Sequence, residues 1–192
     1  MDRSHGSCAR GVAGALIMAA AATLGSSVVH ADIIDEVKGG LLAHDVGFLG
    51  HHVEGGADFV GEVLFTSPSF LSIIGSPRPT LGGSVNTAGH TDYAYFDMTW
   101  TATVWRPMVN EGDGVYLGGF LGGAVHDGNL NVQEDGNKAL GTRALYHLGV
   151  EAGYHITPVY SVELYFSHLS NADASSHNPG LNNIGVRLGY KF

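Results

Sequence analysis

The sequence predicts an all-β chain: an eight-stranded antiparallel transmembrane β-barrel, preceded by a cleavable signal peptide. Three observations lead there. Period-two alternation of apolar and polar residues recurs to the end of the chain, and past the first 31 residues no segment sustains a helical apolar period. Glycine is abundant, 29 of 192 residues, which disfavours helices and suits strands, turns and close packing inside a narrow barrel. An apolar, alanine-rich start and an aromatic Phe192 on the final strand fit an exported outer-membrane protein.

Residues 1–31 read as the signal peptide. Arg3 and Arg10 precede the apolar run Gly11 to Val29, and Val29-His30-Ala31 offers small residues at the −3 and −1 positions of a cleavage site. Residues 32–192 then form one domain. Cys8 leaves with the signal, so no disulfide is expected. The formal charge of −9 becomes −10, because Arg3, Arg10 and Asp2 are removed. No basic face remains to neutralise phosphates, which argues against a nucleic-acid partner.

The strands follow in order. The first, about Glu36 to His44, sets Val37, Gly39, Leu41 and Ala43 against Lys38, Gly40 and His44. The second, Ala57 to Thr66, sets Phe59, Val63 and Phe65 against Asp58 and Glu62. Ser67 to Pro79 carries three prolines and reads as a connection, in which Phe70-Leu71 and Ile73-Ile74 suit a membrane interface. A third strand near Thr80 to Thr87 places Leu81 and Val85 opposite Ser84 and Asn86. The fourth alternates most clearly, with Ala94, Phe96, Met98, Trp100, Ala102 and Val104 facing away from Tyr93, Tyr95, Asp97, Thr99, Thr101 and Thr103. The fifth, Val115 to His126, is apolar or glycine on both faces, and its pattern does not orient it.

Asp127 to Leu140 is a polar loop with Asp-Gly turn signals. The sixth strand sets Ala144, Tyr146, Leu148, Val150, Ala152 and Tyr154 against Arg143, His147, Glu151 and His155. Thr157-Pro158 turns into the seventh, Tyr160 to Ser170. The eighth sets Ile184, Val186, Leu188, Tyr190 and Phe192 against Gly185, Arg187, Gly189 and Lys191.

An even count suits a closed antiparallel barrel. Charges share one face: Lys38, Asp58, Glu62, Asp97, Arg143, His147, Glu151, Glu163, Arg187 and Lys191. Both signs are present, so they can pair in a narrow polar interior, where unpaired they would be costly. A soluble lipocalin-type barrel is an equally legal alternation, with Phe96, Trp100 and Tyr154 turned inwards. The signal peptide and the terminal aromatic favour the bacterial cell outer membrane. With periplasmic termini, odd strands run outwards and the seventh ends at the extracellular side.

That end of the seventh strand holds the candidate chemistry. His168 and Ser170 are two apart on a strand, so both lie on one face, and Phe166, Leu164, Val162 and Tyr160 continue it. A base could there take the proton from a hydroxyl nucleophile. On the lipid face of a barrel, the substrate would be a lipid of the outer leaflet. A third group must hold the histidine tautomer. Asn182, of even numbering on the returning strand, falls on the same face; Glu163 points inwards and Asp173 lies in the loop.

The run His168-Leu169-Ser170-Asn171-Ala172, with Asn178-Pro179-Gly180-Leu181-Asn182 and Gly185 to Phe192, resembles the lipid A 3-O-deacylase family of outer-membrane esterases. Gly122 to Gly128, Leu42 to Gly47 and Gly82 to Gly89 are similar to family sequence as well, so the resemblance spans essentially the whole of 32–192. It implies hydrolysis of the ester-linked 3-hydroxyacyl chain at position 3 of lipid A, in lipopolysaccharide, without a metal or other cofactor. It also implies Ser170 as nucleophile, His168 as base, and Asn171 and Asn178 around an oxyanion hole, with Asn178 a side-chain donor. The best-known members have a glutamate at the third triad position, where this chain has Asn182.

His44, His51, His52, His90, His126 and His177 gather at the predicted extracellular end, but their spacings match no metal motif. Trp100, Trp105 and the tyrosines suit lipid contacts and interfacial anchoring. The rival from another class is a non-enzymatic small outer-membrane barrel, structural or adhesin-like. A homodimer is left open by the sequence.

Overall fold

The computed structural model describes residues 33–47, 51–107, 109, 112–133 and 136–192; the predicted signal peptide lies outside them. Eight strands close in sequence order: β1 Ile34–Ala43, β2 Ala57–Phe65, β3 Arg78–Asn86, β4 Tyr93–Trp105, β5 Gly114–His126, β6 Ala144–His155, β7 Tyr160–Ser170 and β8 Leu181–Lys191. Each pairs antiparallel with its neighbours, and β8 pairs with β1. Closure leaves no strand edge without a backbone partner, the condition for crossing hydrocarbon with strands. A 3-10 helix, Ser69–Ile74, sits between β2 and β3.

The register carries a stagger that sets heights on the wall. Hydrogen-bonded partners lead from Tyr160 to Tyr190, Val37, Val63, Leu81, Phe96, Gly123, Tyr146 and then Ser170. One circuit thus returns to β7 ten residues further along, from Tyr160 to Ser170. Ten residues at ~3.3 Å each, on a strand tilted ~40°, separate the two by about 25 Å along the barrel axis. That matches the apolar band of about 25 Å on such barrels. Tyr160 and Ser170 therefore mark its opposite margins. The connections at the Ser170 margin (44–56, 87–92, 127–143, 171–180) are mostly longer than those at the other (66–77, 106–113, 156–159). Long loops are extracellular and short turns periplasmic in this architecture, so Ser170 is at the extracellular margin.

Alternation sorts the side chains as the sequence indicates. Phe59, Leu81, Phe96, Val150, Leu164 and Leu188 stand on the outside, each at least half exposed, while Lys38, Asp58, Glu62, Tyr95, Asp97, Glu151 and Arg187 are buried within. The soluble alternative would require the reverse. The structure also orients β5. Tyr116, Phe120, Ala124 and His126 point inwards, and Leu117, Leu121 and Val125 outwards. Its inward glycines explain the blank pattern: a Cβ on Gly118 would stand 2.6 Å from Glu151 Cγ, and one on Gly122 2.3 Å from Asp97 Oδ1. The polar face of β5 is written as absent side chains because its neighbours fill the space.

Five interior charges form one network, while Asp97 pairs with His147 and Asp58 with His44. Lys38 Nζ reaches Glu151 at 3.0 Å and Glu163 at 2.8 Å; Arg187 pairs with Glu62 and Glu151 at 2.8 Å each and with Glu163. The Arg187 guanidinium lies 3.8 Å from the Tyr165 ring centre, and the Tyr95 and Tyr116 hydroxyls donate to Glu62 and Glu163. Two expected members are elsewhere. Arg143 is exposed at the extracellular mouth, where its guanidinium donates to the carbonyls of His126 and Gly128. Lys191 is half-exposed at the opposite rim, 3.5 Å from Asp35. Parity assigns a side chain to the interior only where wall encloses it; beyond the last strand pair, a long cation turns to loop carbonyls and water.

Lys38→Met would leave Glu151 and Glu163 buried without their ammonium partner. It is expected to cost about 3–5 kcal/mol, as for breaking a buried ion pair from one side. Leu41→Met on the outer face should stay within about 1.5 kcal/mol of the parent. The temperature at which the folded band of a heat-modifiable gel disappears measures both.

Candidate active site

β7 and β8 bring the site together at the extracellular margin. His168 pairs in register with Asn182, and Ser170 with Tyr146 of β6. Asn182 Oδ1 stands 2.7 Å from His168 Nδ1. Both His168 and Ser170 are half-buried, and among the described residues no hydrogen bond joins the Ser170 hydroxyl to the ring. Nucleophile–base contacts are often loose before substrate binds.

Asn182 is more enclosed than its place on the lipid side suggested. It is fully buried, and the β1–β2 loop covers it through Val46 N–H, which donates to its main-chain oxygen at 2.8 Å. Its Nδ2 is buried with no hydrogen-bond partner among the described residues. Gly180 packs against the ring: its φ is +65°, and a Cβ there would stand 2.8 Å from His168 Cε1. Only glycine fits both the left-handed backbone and that approach.

Asn171 and Asn178 are neighbours beside Ser170. The Asn171 main-chain N–H donates to Asn178 Oδ1 at 2.9 Å, and Asn178 Nδ2 donates to Asp173 at 2.9 Å. Asn171 Nδ2 donates to the carbonyls of Leu140 and His177. The loop after Ser170 is thus folded on its own amides, with Ala172 and Asp173 at positive φ.

A second cluster binds the extracellular loops, and sequence reasoning did not find it. His44 lies between two carboxylates, 2.8 Å from Glu54 and 2.9 Å from Asp58. Glu54 also accepts from the Thr91 hydroxyl and N–H and from the Lys138 N–H, while Lys138 Nζ pairs with Asp45. Three extracellular connections are thereby joined. The cluster reaches the site through Asn183, which accepts from Asp45 N–H at 3.0 Å and donates to Asp58 at 3.1 Å, one residue from Asn182. Burial alone would lower the His44 pKa, but hydrogen bonds and charge from Asp58 and Glu54 push it up to about 9. Burial would raise Glu54, and its bonds from His44, Lys138 and Thr91 bring it below the usual carboxylate range. The one sequence signal was parity, which puts His44 on the face of Lys38 and Asp58 on the face of Glu62.

Other histidines of the predicted extracellular group serve as hydrogen-bond partners: His52 to the Asp45 carbonyl, His90 to Asn137 and His126 to the Thr142 carbonyl. Among the described residues no group of three or more His, Cys, Asp or Glu is arranged to hold a metal ion.

Below the pair, the outer wall is concave. A shallow apolar depression of about 280 Å³ is lined by Leu117, Val150, Ala152, Leu164, Phe166 and Ile184, with Gly118 in its floor. Its upper margin, Phe166 beside Ile184, lies two residues below the His168–Asn182 pair.

Residues 76–191 match the family described as lipid A 3-O-deacylase (PagL). The chain belongs to that family. The lipid A deacylase family match covers β3 to β8, and hence both strands of the site; the family-like segment Leu42 to Gly47 lies before it. The fold agrees with the crystal structure of the outer membrane enzyme PagL, at a TM-score of 0.60 and 14% identity over 82% of this chain and 99% of that one. Two further solved structures are less similar. They are the N-terminal β-barrel domain of Pseudomonas aeruginosa OprF (TM-score 0.48, 10% identity, 84% of this chain and 98% of that one) and Neisserial surface protein A (0.46, 14%, 84% and 97%). No curated protein matches in sequence. As a lipid A deacylase the protein is an outer-membrane enzyme whose substrate is lipid A.

Two outcomes test this geometry. Gly180→Ala is expected to push the His168 ring from its place and lower deacylation by on the order of 10²-fold, the scale of an ångström-level misplacement, with the barrel still folded. The His44 cluster should respond to pH. Because the folded pKa is raised, its stabilisation is complete below about 6.5 and is lost as the pH rises through about 9. Hydrogen exchange of residues 51–56 should therefore accelerate above about pH 9 beyond the intrinsic rate.

Proposed function

We propose that this lipid A deacylase cleaves the ester-linked 3-hydroxyacyl chain at position 3 by serine catalysis on its outer wall. Ser170 is the nucleophile, His168 the base and Asn182 the group that orients the base. The observation that carries this reading is the 2.7 Å approach of Asn182 Oδ1 to His168 Nδ1, at the margin where lipid A meets water. An amide oxygen can only accept, so the ring donates its Nδ1–H there and keeps Nε2 free to take a proton.

Ser170 Oγ attacks the ester carbonyl carbon while Nε2 takes the hydroxyl proton. The tetrahedral intermediate collapses as the imidazolium returns that proton to the departing sugar oxygen, leaving an acyl-serine. Water, deprotonated by the same nitrogen, then releases the free 3-hydroxy acid. The oxyanion is met by Asn171 and Asn178, the latter through its Nδ2. Substrate would have to draw these donors away from their partners in the loop, Asn178 Oδ1 and Asp173. The acyl chain descends into the depression below the pair, which is apolar, open to lipid and adjacent.

Asn182 differs from a carboxylate in two ways. It brings no negative charge to the imidazolium, and it leaves a buried N–H without an acceptor, a penalty of about 1–3 kcal/mol. Asn182→Glu removes that orphan donor but buries a charge, and is expected to keep or modestly raise activity. Asn182→Leu, which cannot accept from the ring, should lower it sharply. Ser170→Ala should reduce deacylation by roughly 10³-fold or more while the barrel still inserts. Mass spectrometry of lipid A from cells expressing each variant measures all three. Full turnover in Ser170→Ala would remove Ser170 from its role. In the same assay, Ala152→Phe should shift preference towards shorter acyl chains by filling the depression.

A further inference from the structure

We propose that the β2–β3 connection is an anchor in the phospholipid leaflet on the periplasmic side, with Phe70 and Ile73 inserted among the lipids and Trp100 as its tether. The segment Thr66 to Pro77 has no charged residue, and its middle is the 3-10 helix Ser69–Ile74. At three residues per turn, Phe70 and Ile73 share a face, and they are 70% and 89% exposed. Leu71 is buried and fastens the other side. The helix is closed by Gly75 at φ 89°, with Ser76 N–H donating to the Leu71 carbonyl at 3.0 Å.

The occupant follows from where this helix is tied. Trp100 Nε1 donates to the Ile74 carbonyl at 2.8 Å. Trp100 shares the outward parity of Phe96 on β4, so the helix is held to the lipid-facing wall and not beneath the barrel opening. Its height follows from the register. Phe96 is midway along the row from Tyr190 to Ser170, about 12 Å above Tyr190, and Trp100 is four residues, about 10 Å, back down its strand. Trp100 therefore lies level with Tyr190, whose ring packs on Tyr160 at 5.5 Å and Phe192 at 5.1 Å. This is the aromatic girdle of the periplasmic margin, where amphipathic rings meet headgroups. The exposed face of the helix continues the apolar surface that the outer membrane already covers.

The test places a probe at position 73, where an 89% exposed side chain has little structural role. Ile73→Cys in a Cys8→Ala background is labelled with an environment-sensitive fluorophore and folded into phosphatidylethanolamine–phosphatidylglycerol vesicles, with Ser176→Cys on the extracellular loop as the aqueous control. The expected result is a blue-shifted emission at 73, quenched by lipid bearing a nitroxide high on its acyl chain and not by iodide on both sides. The control should show the reverse. Quenching by iodide would overturn the proposal, as would resistance to both quenchers, which would mean a protein contact with a second copy or another chain. Trp100→Phe keeps one aromatic ring but loses the pyrrole half of the indole with its N–H, so it should shift position 73 from lipid towards iodide quenching; an unchanged probe would overturn the tether.

Discussion

Backbone hydrogen bonding in hydrocarbon is the constraint on which this structure depends. Any strand edge left in the bilayer would expose unpaired N–H and C=O groups, so the wall must close. Closing eight strands demands tilt and stagger, and the stagger fixes how high each residue stands. The ten-residue offset on β7 places Tyr160 and Ser170 at the two margins of one apolar band. Strand pairing alone thus carries His168 and Ser170 to the extracellular margin of the wall. Alternation does the rest, sending every second side chain to lipid and the others to a narrow interior.

That interior cannot tolerate unpaired charge, and its ion pairs are fitted by volume as well as by sign. Glu151 has room because β5 offers Gly118 opposite it, and Asp97 because it offers Gly122. The Arg187 guanidinium, among Glu62, Glu151 and Glu163, is also stacked on Tyr165. An arrangement this crowded makes the wall stiff beneath the site. The stiffness matters because His168, Ser170 and Asn182 are carried on strands, whose positions are fixed by pairing on both sides.

Above the wall, side-chain contacts join the loops to one another. His44 held between Glu54 and Asp58, and Lys138 with Asp45, draw separate hairpins together and reach β8 through Asn183. The loop that covers Asn182 is the one that this cluster fixes. A histidine–amide pair sheltered from water differs from one at an open surface, since a hydrogen bond strengthens as the local dielectric falls. Protein loops enclose the amide of Asn182, while Ser170 is half-buried and the depression below it lies open on the outer wall.

The sequence by itself determined the strands, the sense of nearly every face, and the pairing of His168, Ser170 and Asn182 on one side of two neighbouring strands. Those are consequences of a two-residue period, which is local and survives without coordinates. Tertiary structure decided what depends on partners distant in the chain. β5 could not be oriented from its own residues, because its inward glycines have meaning only against Glu151 and Asp97. Arg143 shares the interior parity yet turns outwards, because the wall ends before it does. Gly180 and His44 stand in family-like segments, yet their contacts, like those of Asn183, Glu54, Asp58 and Lys138, could not be read from any spacing, since they are brought together by loops whose paths the strand pattern does not encode. Asn182 shows both halves of the lesson: its face was set by parity, but it is completely buried where the loop after β1, distant in the chain, reaches its main-chain oxygen through Val46 N–H.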